Sequence, residues 1–269
     1  MSTTLTEQRT TAAAPRTTPA GRLGALARTE LTLLGRAKGT LFTALVVPLI
    51  LPFTVQATVK ESTLEGTGVK VGEVLLTAAV GFSLLFAVYA ALVTIFVVRR
   101  EELVFKRLRT GELRDPEILA GAALPSVLIG FAQCVVVTAG ATVLLDLGAP
   151  KAVWWALAGV LLGLVLSVAL AAVTAGISKT AESAQVMALP LMFVSMIGSG
   201  MTVPLEVFPD RVASVLELLP LSPVITLVRG GWSGELTAGE GLMALAVAVA
   251  WILLGVFAVR RWFRWEPRR

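Results

Sequence analysis

The sequence predicts an all-α integral membrane protein, and three observations carry that prediction. The chain is 56% hydrophobic and only 15% charged, a balance outside the range of soluble globular domains. Its mean hydropathy is +0.83. Apolar runs of roughly twenty residues, the length that crosses a hydrocarbon core of about 30 Å as a helix, recur along it with short polar breaks between them. The predicted spans are 40–59, 74–98, 118–145, 152–177, 184–203 and 242–259. A single cysteine, Cys134, lies in an apolar run, so an intrachain disulfide is impossible. Histidine is absent, which excludes His-based metal sites, catalytic triads and imidazole relays.

Residues 1–20 are rich in Thr, Ala and Pro and read as a disordered cytoplasmic tail. From 21 to 38, Leu23, Leu26, Ala27, Leu31 and Leu34 share one helical face, and Arg22, Arg28 and Arg36 lie away from its centre. This is the pattern of an interfacial helix whose arginines reach to headgroup phosphate. Glu30 falls inside the apolar stripe, where a carboxylate needs a partner.

The first span carries Pro48 and Pro52 and is expected to kink, and the second, 74–98, contains no charge. Between the second and third lies the densest charge of the chain, Arg99 to Arg114. Glu102 and Lys106 stand four residues apart, and Val104, Phe105 and Leu108 share a side, so the stretch is predicted to be a short amphipathic helix with a supporting ion pair, ended by Gly111. Asp115-Pro116-Glu117 supplies an N-cap, a proline in the first turn and an acid near the positive helix end.

In the fourth span Gly159 and Gly163 have the small-xxx-small spacing that permits close helix approach. Trp154 and Trp155, and near the C-terminus Trp262 and Trp265, are placed as interfacial anchors. Between spans five and six, within Val207 to Val228, the apolar run Val212 to Val228 is interrupted by Glu217, Pro220 and Pro223 too often for a continuous span. Short re-entrant or surface helices on the external side are expected there instead. With six spans and both termini cytoplasmic, eighteen of the 23 Lys and Arg fall inside, as the positive-inside rule requires. Residues 261–269 form a basic cytoplasmic tail.

The spans hold no Asp, Glu, Lys, Arg or His well inside them, which argues against an ion-coupled carrier. Paired carboxylates, a base for a serine and a phosphate-binding loop are all missing, which argues against a membrane-bound enzyme. The bundle has no energy source of its own; if it moves something, a partner supplies the work.

Two blocks of residues then point to a family. Glu30-Leu31 precedes a proline-containing first span and is followed by Arg100-Glu101-Glu102-Leu103-Val104-Phe105-Lys106-Arg107-Leu108-Arg109-Thr110 and Ile118-Leu119-Ala120-Gly121; later come Ser199 to Pro209, Leu218-Leu219-Pro220-Leu221-Ser222-Pro223 and Val228-Arg229-Gly230. Over residues 21–260 the chain resembles the membrane (permease) subunits of ATP-binding-cassette exporters of the drug and polysaccharide export type. It departs from them at Glu102 and Gly111-Glu112, where the family often has Arg-Glu-x-Gly and a proline after the Thr.

The resemblance implies a non-catalytic permease of the plasma membrane that pairs with a second permease, identical or related, and sits on a separate ATPase subunit. That subunit would bind ATP and Mg, so no cofactor is expected in this chain, and no nucleic acid. Arg100, Leu103, Val104, Phe105, Lys106, Arg107, Leu108 and Arg109 would form the coupling helix, and Glu30 and Arg36 would belong to the connecting helix. Phe82, Phe86, Tyr89, Met192, Met196 and Met201 are candidates for the cargo path. The expected cargo is a drug-like, antibiotic or lipid-like molecule; the alternative is an immunity module of the same fold.

Overall fold

The computed structural model describes residues 70–111, 113–144, 147–263 and 265–266, together with Gly21, Gly24, Arg28, Thr32 and Ile50. Gly21, Gly24, Arg28 and Thr32 are helical, as an interfacial helix requires. The other residues of 21–38, including Glu30 and Arg36, and all of the first span except Ile50, lie outside the described residues.

The described elements are helices: α1 (Val71–Glu101), α2 (Val104–Arg109), α3 (Asp115–Leu144), α4 (Val153–Ile177), α5 (Ala181–Gly198), α6 (Asp210–Leu216), α7 (Ser222–Ser233) and α8 (Ala238–Trp262), with one 3-10 turn at Leu205–Val207. Five of them, α1, α3, α4, α5 and α8, are long and apolar enough to cross a membrane. They fall on the predicted spans two to six. The fifth stops at Gly198, short of the expected 203, because Gly200 turns the chain at φ +76°, a conformation glycine adopts without cost.

Helix α1 is the axis of the bundle. The chain itself buries 72% of its most apolar stretch, against 17% for α8 at the periphery. Around it stand α3, α4, α5 and α7. At mid-length, Ser83–Ala90 widens into a π-helical segment. There Ser83 Oγ donates to the Ala79 carbonyl at 2.8 Å, and the Tyr89 hydroxyl shares a 3.0 Å hydrogen bond with Thr174 of α4.

Within a bilayer, apolar burial does not drive helices together, so close approach must come from small residues. The Gly159 and Gly163 spacing on α4 supplies it. A Cβ on Gly159 would stand 2.9 Å from Val228, and one on Gly163 2.6 Å from Leu84 and 2.8 Å from Val224. These glycines therefore seat α7 and α1 against α4. The contact continues into the backbone, where Ala152 N donates to the Gly231 carbonyl at 2.9 Å.

The interruption between spans five and six takes the form of two short helices. Helix α6 ends at Leu216 and α7 begins at Ser222 with Pro223 in its first turn. Most of α7 is buried, including Val224, Ile225, Leu227 and Trp232. Trp251 of α8 holds the turn between them, its Nε1 donating to the Leu218 carbonyl at 2.8 Å.

Candidate functional site

The Arg99–Arg114 stretch is two helices where one was expected. Helix α1 ends at Glu101, and Leu103 adopts the left-handed conformation at φ 60°, which costs a residue with a Cβ about 1–2 kcal/mol. Helix α2 restarts immediately, with Arg107 N donating to the Leu103 carbonyl at 3.0 Å. This break removes the helical geometry needed for the Glu102–Lys106 pair. Glu102 instead lies 3.8 Å from Arg99, and Lys106 pairs with Glu266 at 2.9 Å.

Arg100 is fully buried. Its Nη1 donates to the Ala175 carbonyl at 2.8 Å, and Nη2 to the carbonyls of Ser178 at 2.7 Å and Lys179 at 3.3 Å. The last carbonyls of a helix have no intrahelical partner and carry the negative end of its dipole. A planar guanidinium with donors in a fixed fork suits them. Arg100 thereby fastens the end of α1 to the end of α4 and to the α4–α5 turn. That turn has its own reciprocal cap, Thr180 with Ser183, which starts α5.

Phe105 is also interior, 1% exposed. Its ring meets Phe96 of α1 at 6.3 Å, Phe263 at 6.3 Å and Trp265 edge-on at 6.0 Å between centroids. Val104 and Leu108 are half-buried on the same side, so the shared apolar face exists and points into this chain. The Arg109 guanidinium lies 4.8 Å from the Trp265 ring centre, a cation–π distance. Arg109 Nε also pairs with Asp115 at 2.9 Å. Asp115 is thus the first helical residue of α3 and a salt-bridge partner, not the expected N-cap; Glu117 accepts from Arg114 N at 2.9 Å instead.

The proposed partner-facing set therefore separates into an inner and an outer group. Arg100 and Phe105 are anchors inside the chain, which corrects the expectation that all eight side chains stand at a surface. Leu103, Lys106, Arg107 and Arg109 are exposed. Among the described residues Lys106 and Arg109 are engaged within the chain, while Arg107 forms no ion pair.

Sequence reasoning missed Phe263 and Glu266 and gave Trp265 a different place. Trp265, expected as a membrane anchor, folds back over α2, whereas Trp262 stays exposed. The only available signal was the alternation Trp262, Phe263, Trp265 directly after the last span, which equally suits an interfacial belt. Lys106, through a hydrogen bond and its charge, holds the Glu266 carboxyl below the usual glutamate range.

The six candidate cargo-path residues belong to one packed core. Phe82, Tyr89, Met192 and Met201 are buried, and Phe86 and Met196 pack against them partly exposed. Met201 sits against Gly81, where a Cβ would meet its sulfur at 2.8 Å. None of the six lines either of the two cavities. One cavity, about 410 Å³ and remote from α2, is walled by Glu73, Glu206, Glu217, Glu235, Glu240 and Arg229 with apolar residues of α7 and α8. The other, about 500 Å³, lies between α3, α4 and α8 and ends at Asp115, Arg260 and Trp265. Among the described residues no group of Cys, Asp and Glu could hold a metal ion.

No curated protein matches the chain significantly. The family model described as ABC-2 type transporter matches residues 22–232, most of the 269-residue chain and every described element up to α7. Several long apolar helices around a buried axis, joined by a basic loop that is itself built into the bundle, stand within that match: the chain belongs to the ABC-2 type transporter family of membrane proteins.

Proposed function

We propose that the chain is the permease of an ATP-driven exporter of a drug-like, antibiotic or lipid-like molecule, worked by a separate ATPase subunit that grips α2 from the cytoplasm. ATP and Mg²⁺ belong to that subunit, and membership of the ABC-2 family is what implies it. The observation that carries the reading is the division of labour in the loop. Phe105 packs α2 on Phe96 of α1, Arg100 ties that end of α1 to α4 and the α4–α5 turn, and Arg107, exposed and without an ion pair among the described residues, offers a charge to whatever docks there.

A push on α2 reaches the bundle axis through packed side chains without passing through a flexible link. With the six aromatic and Met candidates packed within one chain, we take the passage to lie at the face shared with a second permease. Helix α5, exposed along Val186, Leu189, Phe193 and Ile197, supplies an apolar stripe for such a pairing.

Arg107→Glu tests the reading. Co-purification of the ATPase subunit, or cargo-stimulated hydrolysis by the complex, is expected to fall at least about tenfold, within the range for losing one well-placed interfacial charge. Membrane insertion and thermal unfolding should stay as in the parent. Unchanged cargo-stimulated turnover would overturn the docking assignment.

A further inference from the structure

The cavity between α3, α4 and α8 is a groove open to the side of the bundle. Its walls are apolar, among them Leu119 and Val127 of α3, Val165 and Val168 of α4 and Val256 of α8. From Asp115 at one end to Val127 at the other is about 18 Å at roughly 1.5 Å per residue. That is close to one leaflet of hydrocarbon, about 15 Å.

Only the α2 end carries charge. Asp115 there is neutralised by Arg109 at 2.9 Å. Arg260, exposed and without an ion pair among the described residues, is left as the net charge of the mouth. Trp265 lines the same mouth, and an indole suits the headgroup level.

We propose that this groove holds one acyl chain of an anionic phospholipid, with its phosphate on Arg260. Length selects an acyl chain, since the groove is one leaflet deep and walled by three helices that cross the membrane. Charge selects an anionic headgroup, since an arginine fork pairs with phosphate while the ammonium of a zwitterionic lipid would bring a second cation beside Arg260. The lipid reaches the loop through two residues. Asp115 and Trp265 line the groove and also hold Arg109 and Phe105 of α2, so occupancy props the docking helix from behind. The assignment rests on the reading above only in taking the α2 end as cytoplasmic.

The test uses the full-length chain without any ATPase, reconstituted in vesicles of equal parts phosphatidylcholine and phosphatidylglycerol. It is then extracted in mild detergent and weighed by native mass spectrometry. Phosphatidylglycerol should be retained in preference to phosphatidylcholine. Arg260→Gln should cut that preference roughly fivefold, the worth of one basic residue at an anionic surface, while Arg260→Lys keeps most of it. Val165→Trp, which fills the groove from an exposed position, should abolish retention of either lipid. Equal retention of the two lipids by the parent chain, or retention by Val165→Trp at the parent level, would overturn the proposal. So would a first span or a second permease occupying the groove, seen as no retained lipid at all. Arg107→Glu should retain lipid as the parent does, which separates failure of this site from failure of the docking reading.

Discussion

The two ends of the bundle are held together by different means. At the α2 end the fastenings are interior: a buried arginine on three carbonyls and four aromatic rings, Phe96, Phe105, Phe263 and Trp265, in one cluster. At the other end α7 is packed on α4, but the 3-10 turn at Leu205–Val207 and helix α6, which has no buried residue, are held by a partly exposed Arg229–Glu206 pair and by the Trp251 bond to the Leu218 carbonyl, beside an acid-lined cavity of about 410 Å³. A buried cation on orphan carbonyls cannot shift without leaving unsatisfied groups behind, whereas a partly exposed ion pair re-forms or exchanges with water at little cost. The α2 end is therefore the more firmly fastened of the two, and the turn and short helix that precede α7 the less.

That contrast can be broken by substitution, and the largest effect is expected at Arg100. Arg100→Met removes the donors to Ala175, Ser178 and Lys179 and should destabilise the chain by about 3 kcal/mol or more, since hydrogen bonds from charged groups contribute roughly 1.5–3 each. Thermal unfolding in detergent reads it, and Arg100→Lys should recover only part, because an ammonium lacks the fork. Next comes Phe105→Ala, which empties the centre of the aromatic cluster. A loss of about 3 kcal/mol is expected, together with faster proteolysis of the segment after α8; unchanged proteolysis would show that the rings merely touch.

At the opposite end, Arg229→Ala should cost no more than about 1 kcal/mol, as for other partly exposed pairs. A double-mutant cycle with Glu206→Ala measures the coupling directly. A coupling energy as large as the Arg100 effect would erase the contrast.

The smallest effect is on pH. The Glu266 carboxyl has its pKa depressed by Lys106. Its contribution is therefore fully present above the ordinary glutamate range and is lost as pH falls through the depressed value. Docking of the tail on α2, followed by limited proteolysis, should hold steady from neutrality downward and loosen only in that acidic window. Glu266→Gln should show no such step.

How much of this was legible in the sequence depended on the kind of interaction. Five spans were readable because length and hydropathy are properties of contiguous residues, and the Gly159–Gly163 approach because its period belongs to one helix. The inward face of α2 was readable for the same reason. Its direction was not: Phe105 next to Lys106 and Arg107 describes a helix with two faces, and nothing local says which of them meets the rest of the chain. The Arg100 site was invisible because its acceptors are backbone carbonyls, which every residue has. Trp265 and Glu266 were misplaced because their partners lie more than a hundred residues away.

The clamp of Phe263, Trp265 and Glu266 on α2 has a consequence for biogenesis. These residues leave the ribosome after every membrane-crossing segment described, so α2 acquires these contacts only after those segments have been made. A nascent chain can therefore integrate those helices well before α2 is held in place by the residues that cover it.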